Sequence, residues 1–197
     1  MKLFRNKIGL TITLAIATLF SNSALADWTL NSQSSNISYG TVKNDAIGES
    51  NTFKNISGSL TEDGHINISI DLTSVDTMLE LRDQRMRDIV FNVAKNASAN
   101  LSGDMSLNAH KDQEVGTSRV IETTIGLELV GEKIEYDVNL VVTRLGENKV
   151  MVTPHGVLFI DADDYELLGA IETLRGLAGL DTIASVVPMS FYLTFEK

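Results

Sequence analysis

The feature that most constrains this chain is a period-two alternation of apolar and polar residues, sustained over long runs. Ile66-Asn67-Ile68-Ser69-Ile70-Asp71-Leu72 alternates without a break. Leu101, Gly103, Met105 and Leu107 alternate with Ser102, Asp104 and Ser106. Ile121, Thr123, Ile125, Leu127 and Leu129 form another run, and Ile134, Tyr136, Val138, Leu140 and Val142 a fourth. Val187, Met189, Phe191, Leu193 and Phe195 close the chain, while Ile37 with Tyr39 and Ile56, Gly58 and Leu60 suit two earlier strands. Successive side chains of a strand point to opposite faces, so each run reads as a strand with one buried and one solvated face. Several runs exceed the roughly 5–6 residues of an ordinary strand.

Turn chemistry separates these runs. Glu62-Asp63-Gly64 precedes the strand beginning near Ile66, and Asp-Gly is a strong hairpin signal. Gly131-Glu132, between Val130 and Lys133, matches a two-residue hairpin with Gly first, and Leu145-Gly146-Glu147-Asn148 serves the next connection. Short sequential hairpins favour an antiparallel meander, and about eight long strands remove their exposed edges by closing into a barrel. The expected fold is therefore all-β with a minor helical part, an extended antiparallel β-barrel of about eight strands. Two segments break the alternation. Met78, Leu81, Arg82, Arg85 and Met86 fit a short helix near 78–88. Leu167, Leu168, Ile171, Leu174, Leu177, Ala178 and Leu180 recur at three- and four-residue steps, predicting a second helix near 165–182 with one apolar face. That face must pack on something, and a barrel mouth or flank is the available surface.

The first 26 residues read as a secretory signal peptide. Lys2, Arg5 and Lys7 form its charged part, Ile8 to Phe20 its apolar part, and Ala24-Leu25-Ala26 its cleavage pattern. The apolar run is shorter than the about 20 residues a spanning helix needs. Export to the periplasm is the expectation, with a mature chain of residues 27–197 forming one domain. That mature chain holds 13 Lys and Arg against 26 Asp and Glu, since the leader carries three cations and no acid. So acidic a surface disfavours nucleic-acid and anionic-membrane partners. With no cysteine, disulfides, thiolate metal sites and a Cys nucleophile are excluded.

Ser69-Ile70-Asp71-Leu72-Thr73-Ser74-Val75-Asp76-Thr77, then Arg82-Asp83-Gln84-Arg85-Met86-Arg87 and Phe91, resembles the YceI-like family. Asp27-Trp28-Thr29-Leu30 is similar to its opening strand, Phe53-Lys54-Asn55-Ile56-Ser57-Gly58 to its Phe-x-x-Phe/Ile-x-Gly phrase, and Ile125-Gly126-Leu127-Glu128-Leu129-Val130-Gly131 to its central strand and turn. The resemblance covers residues 27–197. It implies a lipocalin-like barrel holding an isoprenoid chain, a polyprenyl lipid or an isoprenoid quinone, in a secreted carrier or storage protein, often a homodimer. Many relatives have a His in the second strand, where this chain reads Tyr39-Gly40-Thr41-Val42-Lys43-Asn44.

No nucleophile elbow, phosphate loop or dinucleotide fingerprint occurs, so neither a catalytic residue nor a cofactor is assigned and the chain is not read as an enzyme. His65 and His110 lie in polar turns and are expected to be exposed; His155, after Pro154 in a long strand, is the one placed near a cavity. None has the partner spacing of a metal site. Asp161, Asp163, Asp164 and Glu166 lack the spacing of a calcium loop and read as a solvated helix start. Arg82 and Asp83 form the sharpest polar pair. Their arginine either ties the helix to a carboxylate such as Asp76 or stands at a cavity entrance, donating to a head group. An eight-stranded barrel is just wide enough to be filled by side chains or to hold one ligand. The inward rows leave both open: a ligand-free, filled interaction module, or a lipid tube lined by Ile70, Leu72, Met105, Ile125, Leu127, Tyr136, Val138, Leu140 and Phe191, with Arg82 as a contact. In the second case Gly103, which shares the apolar phase, is expected to border the tube, and Gly126 to face outward.

Overall fold

In the computed structural model, residues 28–105 and 112–197 are described. The signal peptide, His110 and Leu107 of the alternating run therefore lie outside the described residues. Twelve strand segments appear, in chain order β1 (Trp28–Leu30), β2 (Asn36–Lys43), β3 (Ile47–Phe53), β4 (Ile56–Leu60), β5 (His65–Asp71), β6 (Val75–Asp76), β7 (Ser98–Asp104), β8 (Ser118–Leu129), β9 (Glu132–Gly146), β10 (Lys149–Pro154), β11 (Leu158–Asp161) and β12 (Val186–Glu196). All their pairings are antiparallel.

The segments resolve into eight long strands because four are bent in the middle. β1 and β2 run along the same edge of β12, at Leu30↔Phe195 and Asn36↔Tyr192. A single 3-10 turn separates them, capped by Asn31, whose Oδ1 accepts from the Gln33 and Ser34 amides. β4 pairs β1 while β3 pairs β2, and β5 pairs β4 while β6 pairs β3. Between β5 and β6 the Asp71 side chain caps another 3-10 turn by accepting from the Thr73 amide. β10 and β11 share the other edge of β12. Each strand thus pairs with its neighbour in sequence, and the last returns to the first: a closed eight-stranded antiparallel barrel, lipocalin-like in form.

The hairpin after β8 is shifted one residue from the sequence reading. Leu129 pairs with Glu132, so the loop is Val130-Gly131, with Gly second. Both residues have positive φ, 48° and 96°. A two-residue turn of that hand matches the right-handed twist of the flanking strands, and the twist wins over the strain of a β-branched residue in that region.

Half of the barrel is filled. Leu60, Ile66, Ile68, Leu101, Met105, Leu140, Val152, Leu193 and Phe195 each expose 2% or less. The other half splays apart. No pairing joins β6 to β7 or β11 to β9 among the described residues, and the two helical segments occupy these openings. α1 (Glu80–Arg85) continues as a π-helical turn over Met86–Val90. α2 (Leu168–Ala178) is shorter than the predicted 165–182. Tyr165 belongs to a preceding 3-10 turn ended by Glu166 at φ 56°, and Gly179 at φ 63° stops the helix at its other end. Tyr165 bridges the gap: its hydroxyl lies 3.1 Å from that of Tyr136 on β9 and donates to the Leu127 carbonyl of β8. Among the described residues no helix is long and apolar enough to cross a membrane.

Candidate functional site

A cavity of about 340 Å³ lies where the splayed half meets the helices. Its floor and walls come from alternate residues of the strands: Ile37, Phe53, Ile70, Ala99, Leu127 and Met189, with Leu72 beside them. Its roof is the apolar side of the helices: Leu81, Met86 and Val90 from the first, and Ile171, Leu174 and Ala178 from the second. α2 buries none of its side chains fully, and Leu168 and Leu177 stay exposed. The helix therefore covers the cavity, with Ala170 and Leu174 packed only partly buried against the core. Phe53 stacks obliquely between Tyr39 and Phe91, with centroids 5.5 and 6.0 Å away, at distances where aromatic pairs attract.

One stripe of this wall is polar. On the β2–β3 ladder Tyr39 faces Asn51 and, one step on, Thr41 faces Glu49, with Lys43 beyond. All five border the cavity. Glu49 accepts from Lys43 Nζ at 2.8 Å and from Arg82 Nη1. The Arg82 hydrogen bond, with help from Lys43, holds the Glu49 carboxyl below its ordinary range. Burial raises the Tyr39 phenol well above its usual value, since ionising it would strand a charge among apolar groups.

The Asp-Thr…Arg-Asp phrase positions this stripe. Thr77 gives its amide and hydroxyl protons to buried Asp83, and the Thr77 carbonyl accepts from Arg82 Nη2. Asp76 accepts from the Met78 amide at 2.9 Å, stabilising the turn in which Met78 sits at φ 61°. Both readings of Arg82 thus meet in one residue: it ties α1 to the barrel and it borders the cavity. Its carboxylate partner is Glu49, not Asp76, which pairs with Lys54 at 3.0 Å.

Of the ten residues read from the sequence, Ile70, Leu72, Arg82 and Leu127 border the cavity. Met105, Ile125 and Leu140 are packed in the filled half, Val138 and Phe191 are buried, and Tyr136 is half-buried against Tyr165; these six lie outside the cavity wall. Their placement has a simple cause: eight strands close around little more than their own side chains, so open space survives only where the ladder is broken. Gly103 likewise faces the filled half, where an added Cβ would stand 2.9 Å from the Thr124 carbonyl and 3.2 Å from Ile125. Gly126 faces outward, against Lys133. His155 is exposed in the break between β10 and β11, away from the cavity, its amide donating to the Asn139 carbonyl. His65 is exposed beside Asp104. Among the described residues no group of His, Asp and Glu could hold a metal ion. Asn51 and Glu49 were not legible as site residues, because β3 reads Ile-Gly-Glu-Ser-Asn-Thr-Phe and lacks the apolar alternation of its neighbours.

The YceI-like domain model matches residues 28–195. A search of curated proteins gives no match. Among solved structures, a polyisoprenoid binding domain from Saccharophagus degradans, implicated in plant cell wall breakdown, is 33% identical, with a TM-score of 0.84 over 86% of this chain and 97% of its own. BcnA of Burkholderia cenocepacia is 14% identical, with a TM-score of 0.65 over 84% of this chain and 98% of its own. A YCEI protein of Campylobacter jejuni is also 14% identical, with a TM-score of 0.55 over 75% and 84%. The last two show the same fold.

Proposed function

The chain belongs to the YceI-like domain family, and on that premise we propose that it binds an isoprenoid lipid, a polyprenyl chain or an isoprenoid quinone, and shields it from water. The observation that carries this reading is the cavity itself: apolar floor, apolar roof, and a helix whose side chains are left half-covered above it. The polyisoprenoid binding described for the Saccharophagus degradans domain supports the ligand class. An exposed tail costs about 0.8 kcal/mol per methylene, so each carbon taken into such a pocket gains about that much. At about 340 Å³ the cavity lies at the lower end of the roughly 300–1,000 Å³ of small-molecule pockets. A long isoprenoid would be held over part of its length, the rest leaving past the helices. The ligand-free, filled-barrel alternative describes only the closed half of the molecule.

The reading includes a carrier or storage role, export by the leader to the periplasm, and assembly as a homodimer. It is one of binding rather than catalysis: on the cavity wall Glu49 is engaged by Lys43 and Arg82, and Arg82 ties α1 to β3. The test is direct. Organic extracts of the natively purified protein, read by mass spectrometry, should contain an isoprenoid in molar proportion to the chain. The delipidated protein should take up a fluorescent isoprenoid saturably. A delipidated, folded protein that takes up none refutes the reading.

A further inference from the structure

Three side-chain atoms in the described structure are buried without any hydrogen-bond partner: the Tyr39 hydroxyl, Asn51 Oδ1 and Arg82 Nε. All three residues border the same cavity. Buried polar atoms are nearly always paired, and leaving one bare costs folding free energy. Three at one place, on the polar stripe of a largely apolar wall, is a site with unmet demands. Tyr39 and Asn51 are also cross-strand partners, so they present their groups side by side. Asn51 exposes only 3% of its surface, and its amide nitrogen is directed to Thr41 Oγ1 at 3.5 Å, leaving Oδ1 as a free acceptor.

We propose that Tyr39, Asn51 and Arg82 form a subsite for the head group of the lipid, and that this head is a neutral oxygen able both to accept and to donate a hydrogen bond, a hydroxyl above all. This rests on the lipid-binding reading above and adds the chemistry of the ligand's polar end. With two lone pairs and one proton, a hydroxyl can accept from both the Tyr39 O–H and the Arg82 Nε–H and donate to Asn51 Oδ1, so one group can answer all three demands. A phosphate fits poorly. Arg82 and Lys43 already share Glu49, Asp83 lies buried beneath, and Arg85 is the remaining cation on the wall. A phosphorylated head would have to displace Glu49 or sit beside its carboxylate, and unpaired buried charge is costly. The head is thus held inside the wall rather than left in solvent.

The experiment compares phytanol, phytanyl acetate, phytanyl phosphate and phytane, which share one chain, by displacement of a fluorescent isoprenoid from the delipidated protein and from Tyr39→Phe and Asn51→Leu. Both substitutions remove an unpartnered polar atom, and Asn51→Leu gives up only the long 3.5 Å contact to Thr41, so both variants should fold about as stably as the parent. Phytanol should bind most tightly. Each substitution should weaken it by about two- to tenfold and leave phytane unchanged. Phytanyl acetate, which accepts but cannot donate, should respond to Tyr39→Phe and not to Asn51→Leu. The subsite is overturned if phytane and phytanol bind alike and neither substitution matters, for then water serves these atoms. It is also overturned if the phosphate binds tighter than the alcohol, or if both variants lose phytane equally. Binding of no lipid at all would refute the lipid reading itself, an outcome distinct from these.

Discussion

Ala99 and Gly103 lie on one face of β7, four residues apart, opposite Ile70 and Ile66 of β5. They differ only in depth: Ala99 borders the cavity, while Gly103 faces the packed half. Enlarging each to Leu separates the hollow from the filled part of the barrel. At Gly103 the first added carbon already stands 2.9 Å from a backbone oxygen that cannot move freely, so Gly103→Leu is an overpacking change of about 1–3 kcal/mol. For a chain of this size that corresponds to a melting temperature lower by roughly 2–12 °C. At Ala99 three carbons enter open space, at about 0.8 kcal/mol each for the surface they bury. The delipidated Ala99→Leu protein should melt at or above the parent temperature. The same three carbons displace lipid, and its affinity should fall roughly ten- to fiftyfold, whereas Gly103→Leu, where folded, should bind normally. Circular-dichroism melts of delipidated protein and titration with a fluorescent isoprenoid read both effects. If Ala99→Leu is destabilised as much as Gly103→Leu, or if only Gly103→Leu loses binding, the division of the barrel argued above is wrong.

Phe191 exposes 4% of its surface and its neighbour Tyr192 47%, so Phe191→Asp should unfold the protein or cost more than about 4 kcal/mol. Tyr192→Asp should stay within about 1 kcal/mol, and equal losses in urea titrations would show the register of β12 to be misplaced. Val130, at φ 48° in the two-residue turn, should be improved by Val130→Asn, with a gain of about 0.5–1 kcal/mol in denaturant midpoint analysis; a loss would contradict the turn's geometry. The Glu49 carboxyl titrates below its unfolded value because Arg82 and Lys43 hold it charged. Its contribution is therefore present above the unfolded carboxylate range and is lost as pH falls through the lower folded value. Glu49→Gln should flatten that acid limb and cost about 1 kcal/mol or less at neutral pH, since water reaches and screens this partly exposed cluster; an unchanged limb would show that the cluster carries no linkage. Sequencing of the exported chain should begin at Asp27, and an intact Met1 on exported protein would remove the leader from the reading.

The barrel was legible in the residues because alternation is a local property: Ile66-Ile68-Ile70 and Leu127-Leu129 each state which face is buried without reference to any partner. Both helices were legible for the same reason, through the three- and four-residue spacing of Leu81-Arg85 and Ile171-Leu174-Ala178. What alternation cannot state is whether the space enclosed by an inward row is occupied. Met105 and Leu127 belong to inward rows of equal apolarity, yet one is packed among side chains and the other borders open volume. That difference comes from where the ladder breaks, at the turns after Asp71 and Pro154, and from helices that span the openings instead of sealing them. Likewise Arg82 announced itself as a charged residue needing a carboxylate, but its partner proved to be Glu49, thirty-three positions earlier in the chain, on a strand that carries no apolar pattern. The one-dimensional order of residues determined the eight strands, their faces and the two helices. Only closure of the barrel, which brings together residues far apart in sequence and leaves some volume unfilled, decided that the chain has a pocket, where it lies, and which polar groups border it.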